Sequence, residues 1–462
     1  MAIQLTFHGA ARTVTGSKYR LTVGSDDTLV DAGLFQGIKE LRLLNWDDPP
    51  FRPHELRRVL LTHTHIDHIG YLPRLVRRGF DGPVYCTAAT ADLAELLLLD
   101  SARLQEEDAD YANRKGYSRH DPALPLYTVD NAEQALTLLE SVPYGEWLRL
   151  DGRTRARYHG AGHILGSASI EVRVERGSEE LTLLFSGDVG RYDSPLHPDP
   201  EPRPRCDVLV MESTYGDREH DATPLAEQLR GPISRTFEAG GTVLIPAFAV
   251  GRSQQITLVL RQLMDEGALQ EVPIHIDSPM AVDATRIYSR HLDEDHVDAE
   301  IAAPGRSRLF PEGVELHRSA ADSKRINDLK GPRIIVSPSG MLVGGRVLHH
   351  LKRLLPSRRN LVILAGFQAA GTRGRKLLEG NPSLRIHGAD IPVRAASMSL
   401  HGLSGHGDRN EMMRWLATEE TAPRRVFITH GEPEAAFAFA GQIERELGWT
   451  TDVPCLGETA EL

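Results

Sequence analysis

The spacing of apolar and polar positions divides the chain into two alternating styles. "IQLTFHG", "SKYRLTV" and "TLVDAG" alternate or run apolar and stop at glycine, which predicts short strands. "RRVLLTH" predicts a buried strand, and "DHIGYLPRLVRRGF" a helix opening on Asp67 with Leu72, Leu75 and Val76 on one face. "TADLAELLLLDSARLQEEDADYANRKG" predicts a long helix with a polar end. In "RARYHGAGHILGSASIEVRV", "LTLLFSGDVG" and "CDVLVMESTYG" a strand is followed or interrupted by glycine and by an acid or a histidine. After residue 212 the rhythm becomes strand, turn, helix: "GGTVLIPAFAVGRSQQITLVLRQLM", "VPIHIDSPMAVDATRIYSRH", "PRIIVSPSGMLVGGRVLHHLKRLL" and "NLVILAGFQAAGTRGRKLLEG". That repetition predicts a parallel α/β sheet. The last stretch returns to the first style, with the strand "RRVFITH" and an amphipathic helix carrying Phe439, Ile443 and Leu447 at i, i+4 and i+8. The expected organisation is an α/β domain over 1–211 and 391–462, interrupted by an inserted α/β domain over 212–390.

Length and composition narrow the class. At 462 residues the chain exceeds one comfortable core, so two or more domains are expected. The net charge of −11 means that any nucleic-acid site is a local basic groove or relies on metal ions. No apolar run approaches the roughly 18 residues of a membrane span, and "MAIQLTFHGAARTVTG" lacks the layout of a secretion signal. Cys86, Cys206 and Cys455 are scattered and form no CxxC pair. This fits a reducing cytoplasm, with no disulfide partner and no thiolate zinc site.

The candidate chemistry lies where apolar strands end. "LTHTHIDHIG" places His63, His65, Asp67 and His68 within six positions of one another. "YHGAG" leads to His163, "LTLLFSG" to Asp188, "VLVM" to Glu212 and "VFIT" to His430. Polar groups at strand ends converge on one edge of a sheet. On extended chain His63 and His65 project to the same side. Imidazole and carboxylate donors suit zinc without thiolates. Six or seven ligands exceed one tetrahedral ion but suit two ions roughly 3.5–4 Å apart, with Asp188 as the natural bridge.

These motifs carry a resemblance. "LTHTHIDHIG", "GAGHILGSA" and "FSGDVG" resemble the signatures of the metallo-β-lactamase fold. "ESTYG", "PAFAVGRSQQ", "SPSGM", "GFQAAGTRGR", "LSGHGD" and "ITHGE" resemble the β-CASP branch of that superfamily, whose members process RNA or DNA. The resemblance runs from "DAGLFQG" to "HGE" and implies a metallo-β-lactamase αβ/βα sandwich with an inserted parallel α/β β-CASP domain. It implies one zinc held by His63, His65 and His163, and a second held by Asp67, His68 and His430. Asp188 would bridge the two with a shared hydroxide, Asp67 would also count among the catalytic residues, and Asp31 would steady the HxHxDH turn. Glu212, His406 and His430 match the three nuclease motifs. Histidine at the third marks RNA-cleaving members.

The implied reaction is hydrolysis of RNA phosphodiester bonds by a two-metal hydroxide, leaving 5′-phosphate and 3′-hydroxyl ends. His406 would protonate the departing ribose oxygen, and Glu212 would keep it charged and turned. Single-stranded RNA is the expected partner, in a groove between the domains. Ser404, Ser339 and Gly340 resemble phosphate-contacting positions, and Arg252, Arg373 and Arg375 would pair with backbone phosphates. Phe367 would stack a base, or else pack in the core. Endonuclease is favoured over 5′-to-3′ exonuclease. A homodimer stays open. A small-molecule hydrolase on the same fold has no use for the insert or for Glu212 and His406. His8, His120, His275, His349 and His350 are expected to be structural, and Arg153, Arg155 and Arg157 to mark an edge strand.

Overall fold

A computed structural model describes residues 2–116, 118, 120–221, 223–291, 313–366, 368 and 371–462. Two compact units emerge. The first comprises residues 1–192, 199–219 and 406–462, and the second residues 193–198 and 220–405.

The first unit opens with eleven strands: β1 Ile3–Phe7, β2 Tyr19–Val23, β3 Asp26–Val30, β4 Leu56–Leu60, β5 Val84–Cys86, β6 Leu139–Ser141, β7 Leu148–Arg149, β8 Thr154–Gly160, β9 Ala168–Arg176, β10 Glu179–Phe185 and β11 Val208–Glu212. The second unit contributes β12 Thr242–Pro246, β13 Ile274–Asp277, β14 Val314–His317, β15 Arg333–Ser337, β16 Leu361–Leu364, β17 Ser383–Ile386, β18 Ala389–Pro392 and β19 Ala396–Ser399. The chain then returns to the first unit with β20 Arg425–Thr429, β21 Thr451–Asp452 and β22 Thr459–Glu461.

Two seven-stranded sheets build the first unit, ordered β22-β1-β2-β3-β4-β5-β6 and β21-β20-β11-β10-β9-β8-β7. The side-chain period of two explains why their apolar runs are buried on both faces. Leu183, Phe185, Val208, Val210 and Phe427 meet Ile3, Leu5, Phe7 and Leu60 in a core between the sheets. Their neighbours Leu184, Leu209, Met211, Val426 and Ile428 turn outward onto the helices Arg409–Leu416 and Pro433–Leu447. Val59 and Leu61 turn outward onto the helices Leu72–Arg77, Ala88–Lys115 and Val129–Leu136. The result is four layers: helices, sheet, sheet, helices.

The second unit has a six-stranded parallel sheet ordered β14-β13-β15-β12-β16-β19 and a separate hairpin of β17 and β18. Ile334, Val336, Val243 and Ile245 face one helical layer, while Ile335 and Leu244 face the other. The strand-turn-helix rhythm of the sequence is this doubly covered sheet.

Two local expectations are corrected. The helix expected to run on from Asp67 is broken into Ile66–Ile69 and Leu72–Arg77. Pro73 lacks an amide hydrogen, so it sits in a first turn, where no intrahelical partner is needed. The strand carrying Arg155 and Arg157 is not an edge strand, because β8 lies between β9 and the short β7. Its arginines are paired with acids: Arg155 with Glu180 at 2.8 Å and Arg157 with Glu171 at 2.7 Å. Among the described residues no helix is long and apolar enough to cross a membrane. Cys86, Cys206 and Cys455 are all unpaired.

Candidate metal centre

The chemistry-bearing residues of the first unit follow the ends of strands that run in the same direction. Asp31 follows β3, His63 and His65 follow β4, His163 follows β8, Asp188 follows β10, Glu212 ends β11 and His430 follows β20. β3 and β4 pair in parallel, as do β10, β11 and β20, so these ends share one rim. Close backbone approach tightens it. A Cβ on Gly33 would meet the Asp67 carbonyl at 1.6 Å, and one on Gly190 would meet the Gly162 carbonyl at 2.1 Å. Gly190 also forms a β-bridge with His406, which places that histidine beside the Asp188 loop.

Two donor groups result. In the first, His65 Nδ1 lies 3.0 Å from His63 Nε2 and 3.1 Å from His163 Nε2. Asp188 Oδ2 completes it at 3.3 Å from His63 and 3.4 Å from His163. In the second, His68 Nε2 lies 3.1 Å from His430 Nε2, and Asp67 Oδ2 lies 3.6 Å from His430. Asp188 Oδ1 faces this group, at 3.3 Å from His68 Nε2 and 3.5 Å from His430 Nδ1. The two oxygens of one buried carboxylate therefore divide between the two groups.

Hydrogen bonds outside the groups fix which ring nitrogens are free. His68 Nδ1 lies 2.7 Å from Asp31 Oδ2, and a carboxylate only accepts, so His68 donates there and keeps its Nε2 lone pair for the site. Asp31 is itself held by the Thr62 amide at 2.8 Å and the Thr62 hydroxyl at 2.9 Å. Thr214 Oγ1 lies 3.1 Å from His430 Nδ1 and 3.1 Å from the His430 carbonyl. Asp31 and His430 both adopt a left-handed backbone, with φ of 60° and 48°. Non-glycine residues seldom do so without support from their surroundings. Thr62 and Thr214 were missed in the sequence. Their only signal is position, Thr62 directly before "HTH" and Thr214 inside "EST", since a threonine in or beside a motif has no period or charge to mark it.

The donor set fits divalent cations. Bonds of about 2.0–2.2 Å to a tetrahedral zinc imply ligand-to-ligand separations of about 3.3–3.6 Å, close to those of the first group. Asp188 Oδ1 is buried without a hydrogen-bond partner, an arrangement that is costly unless a cation completes it. Burial lowers His63 to about 3 and His65 to about 4, so both rings are neutral and present lone pairs. Burial raises Asp188, but attraction to the histidines around it, His430, His68 and His406 foremost, outweighs this and holds the group well below the usual carboxylate range.

Glu212 and His406 sit beside these groups. His406 Nδ1 lies 3.1 and 3.2 Å from the Glu212 oxygens, and its Nε2 lies 3.7 Å from Asp188 Oδ2. Glu212 accepts the Val189 amide at 2.6 Å and the Thr214 amide at 3.3 Å. With those bonds and His406, the carboxylate is engaged as an anchor. Burial works against the charged form of His406, but Glu212 and Asp188 overcome it and raise the ring to about 9.

The expected substrate contacts Ser404, Ser339, Gly340, Arg252 and Arg373 all belong to the second unit. Ser339 Oγ accepts the Val343 amide at 3.1 Å, and the Gly340 carbonyl accepts from Gln368 at 3.1 Å. Ser404 is half-buried. Arg252 donates to the Ala365 carbonyl at 3.1 Å and lies over the Phe248 ring at 4.9 Å. Arg373 donates to the carbonyls of Arg385, Leu342 and Val343 at 2.7, 3.1 and 3.2 Å. Arg375 pairs with Glu379 at 2.7 Å. Phe367 lies outside the described residues.

Known families cover most of the chain. The metallo-β-lactamase superfamily matches residues 19–230, the Beta-Casp domain residues 253–377, and the Zn-dependent metallo-hydrolase RNA specificity domain residues 390–454. The fold and the site thus define a metallo-hydrolase with an inserted β-CASP domain. A protein named "Ribonuclease TTHA0252" from Thermus thermophilus is 39% identical over 436 residues, 93% of either chain. "Transcription termination factor FttA" from Methanocaldococcus jannaschii is 31% identical, over 98% of this chain and 70% of its own. An "RNase J-like protein" from the same organism is 32% identical, over 98% of this chain and 99% of its own. A solved protein of unknown function from Enterococcus faecalis shares the fold over the full length of both chains, with a TM-score of 0.58 at 13% identity. The chain belongs to the β-CASP family of the metallo-β-lactamase superfamily. It is an enzyme, a metal-dependent hydrolase that carries the RNA specificity domain of its class.

Proposed function

We propose that this enzyme is a zinc-dependent ribonuclease that cuts within single-stranded RNA, leaving 5′-phosphate and 3′-hydroxyl ends. The observation that carries the reading is the division of Asp188, with Oδ2 facing His63 and His163 and Oδ1 facing His68 and His430. On this reading His63, His65 and His163 would hold one zinc and Asp67, His68 and His430 the other, with Asp188 available to both. Two bound zinc ions would supply water activated at neutral pH and positive charge for the scissile phosphate. Glu212 holds Nδ1 of His406 and keeps the ring charged, which leaves Nε2 to give its proton to the departing ribose oxygen. Asp31 fixes the His68 tautomer, and Thr214 turns His430. Names of relatives that include ribonuclease, RNase J-like protein and transcription termination factor support RNA as the substrate class.

Within the proposed insert of 212–390, Arg252 keeps a cation over an aromatic face, and Ser339 and Gly340 offer backbone and hydroxyl groups to phosphate. Arg373 is spent largely on carbonyls. Its first role is to tether β17 to the segment that follows β15. Ser404 stands two residues before His406 in sequence and would contact a backbone phosphate.

The test uses single-stranded RNA labelled at its 5′ end, a matched DNA strand, and zinc-loaded enzyme beside His65→Ala and His406→Ala. Internal RNA fragments absent from both variants support the reading. Mononucleotides released from the labelled end make the enzyme a 5′-to-3′ exonuclease. Intact RNA with zinc bound overturns it. Sedimentation of the same sample reads the number of chains per particle.

A further inference from the structure

The second unit holds another cluster of metal-binding side chains, formed by its outermost strand. β14 is the edge of the six-stranded sheet and pairs in parallel with β13, His275 opposite Glu315 and Asp277 opposite His317. Glu315 and His317 are two residues apart on one strand, so they share a face. His275 projects on the same side, and the three donors converge. His275 Nδ1 lies 3.0 Å from His317 Nε2 and 3.3 Å from Glu315 Oε2, and His317 Nε2 lies 3.7 Å from the same oxygen.

Two arguments favour a cation over a hydrogen-bonded trio. The first is metric. A tetrahedral zinc with bonds of about 2.0–2.2 Å needs donors about 3.3–3.6 Å apart. The three separations bracket that range, and those among His63, His65, His163 and Asp188 in the first unit, 3.0 to 3.4 Å, lie at its lower end. The second concerns what holds the strand. No residue of β14 is fully buried, and only Val314 of it joins an apolar cluster. Parallel edge strands normally keep their place by packing, and this one has little. A cation joining β14 to the buried His275 would supply the missing attachment.

We propose that His275, Glu315 and His317 form a separate structural site for zinc or a similar divalent cation, which clips β14 onto β13. The ligand atoms are His275 Nδ1, His317 Nε2 and a Glu315 carboxylate oxygen, with a water completing the set on the exposed side of Glu315. Two imidazoles and one carboxylate suit zinc, cobalt or nickel better than calcium or magnesium. The site takes no part in RNA cleavage, so it stands whether or not the ribonuclease reading holds.

The experiment counts zinc. Full-length protein, Glu315→Gln and His317→Ala are each equilibrated with zinc, freed of excess by gel filtration, and analysed for metal per chain. Both replaced residues are on the solvent side of the pair, and far-UV circular dichroism checks that each variant is folded. The expected result is a loss of one zinc per chain in His317→Ala, and at least a tenfold weaker last equivalent in Glu315→Gln. Hydrogen exchange gives a second reading, because the amides of 314–317 should be protected in zinc-loaded protein and lose protection in His317→Ala. Zinc content and β14 exchange identical in all three proteins overturn the proposal. So does an anomalous-scattering map of zinc-loaded crystals without a peak among these three side chains.

Discussion

His68 and His350 each hold a buried aspartate at 2.7 Å, Asp31 in the first unit and Asp277 in the second. The pairs diverge at the other ring nitrogen. In His68 it faces Asp188 Oδ1 and His430, groups that offer lone pairs and few protons. In His350 it lies 3.0 Å from Asn327 Oδ1, and Asp277 also accepts from Ser323 at 2.6 Å and Arg346 at 2.8 Å. The second pair is closed: its donors and acceptors have partners, and its work is to hold strand, helix and loop together. The first pair is left open on one side. An aspartate–histidine pair is thus a part that serves either purpose, and what the second nitrogen meets decides which.

The largest effect that separates the pairs is on cleavage. If His68 is the ligand proposed above, His68→Ala should reduce RNA hydrolysis about 10³–10⁵-fold in initial-rate assays. His350→Ala should leave the rate within a few-fold. Stability should show the converse. Asp277→Ala strands Arg346 and His350 and should cost about 3–5 kcal/mol in denaturant melts, with zinc content of the first unit unchanged. A preserved melting curve would contradict the closed pair.

The next effect is on a proton. In metal-free protein the His406 ring should titrate near 9 by NMR, since Glu212 and Asp188 outweigh burial. A raised histidine stabilises the fold fully below its unfolded value of about 6.5, and that contribution disappears as pH rises through 9. Glu212→Gln should bring the titration down toward the ordinary range and slow cleavage about 10²-fold at neutral pH, where the ring would no longer carry its proton. An unmoved titration would show that Glu212 does not set the charge. The smallest effect is expected for Asp31→Asn, a loss of about 10–100-fold in zinc affinity read by chelator competition.

Much of this was legible because strands bury both faces. Apolar runs such as "VLLT" and "LTLLFSG" have no polar position to spare, so the first polar residue after each marks the sheet rim. The helix Pro433–Leu447 buries Phe439 and Ile443 and half-buries Leu447, as its spacing predicts. What was not legible depends on pairing between distant segments. His275 and His317 are 42 residues apart and meet only through the register of β13 and β14, so neither stands out as a ligand. His350 was expected to be structural, and its bond to Asp277 gives the reason. Arg373 reads as a phosphate contact in sequence, and nothing there announces the three carbonyls that accept from its Nε and Nη1. A loop's demand for donors leaves no periodic trace.

The interrupted first unit also sets an order of assembly during translation. A chain synthesised as far as Gly405 already carries His63, His65, Asp67, His68, His163, Asp188 and Glu212, but neither His406 nor His430. β20 must still pair with β11, and β22 must still close on β1. While it is being made, the polypeptide can gather His63, His65, His163 and Asp188 before His406 or His430 exists. On the proposed roles of His406 and His430, catalytic competence waits for the segment that follows the second unit.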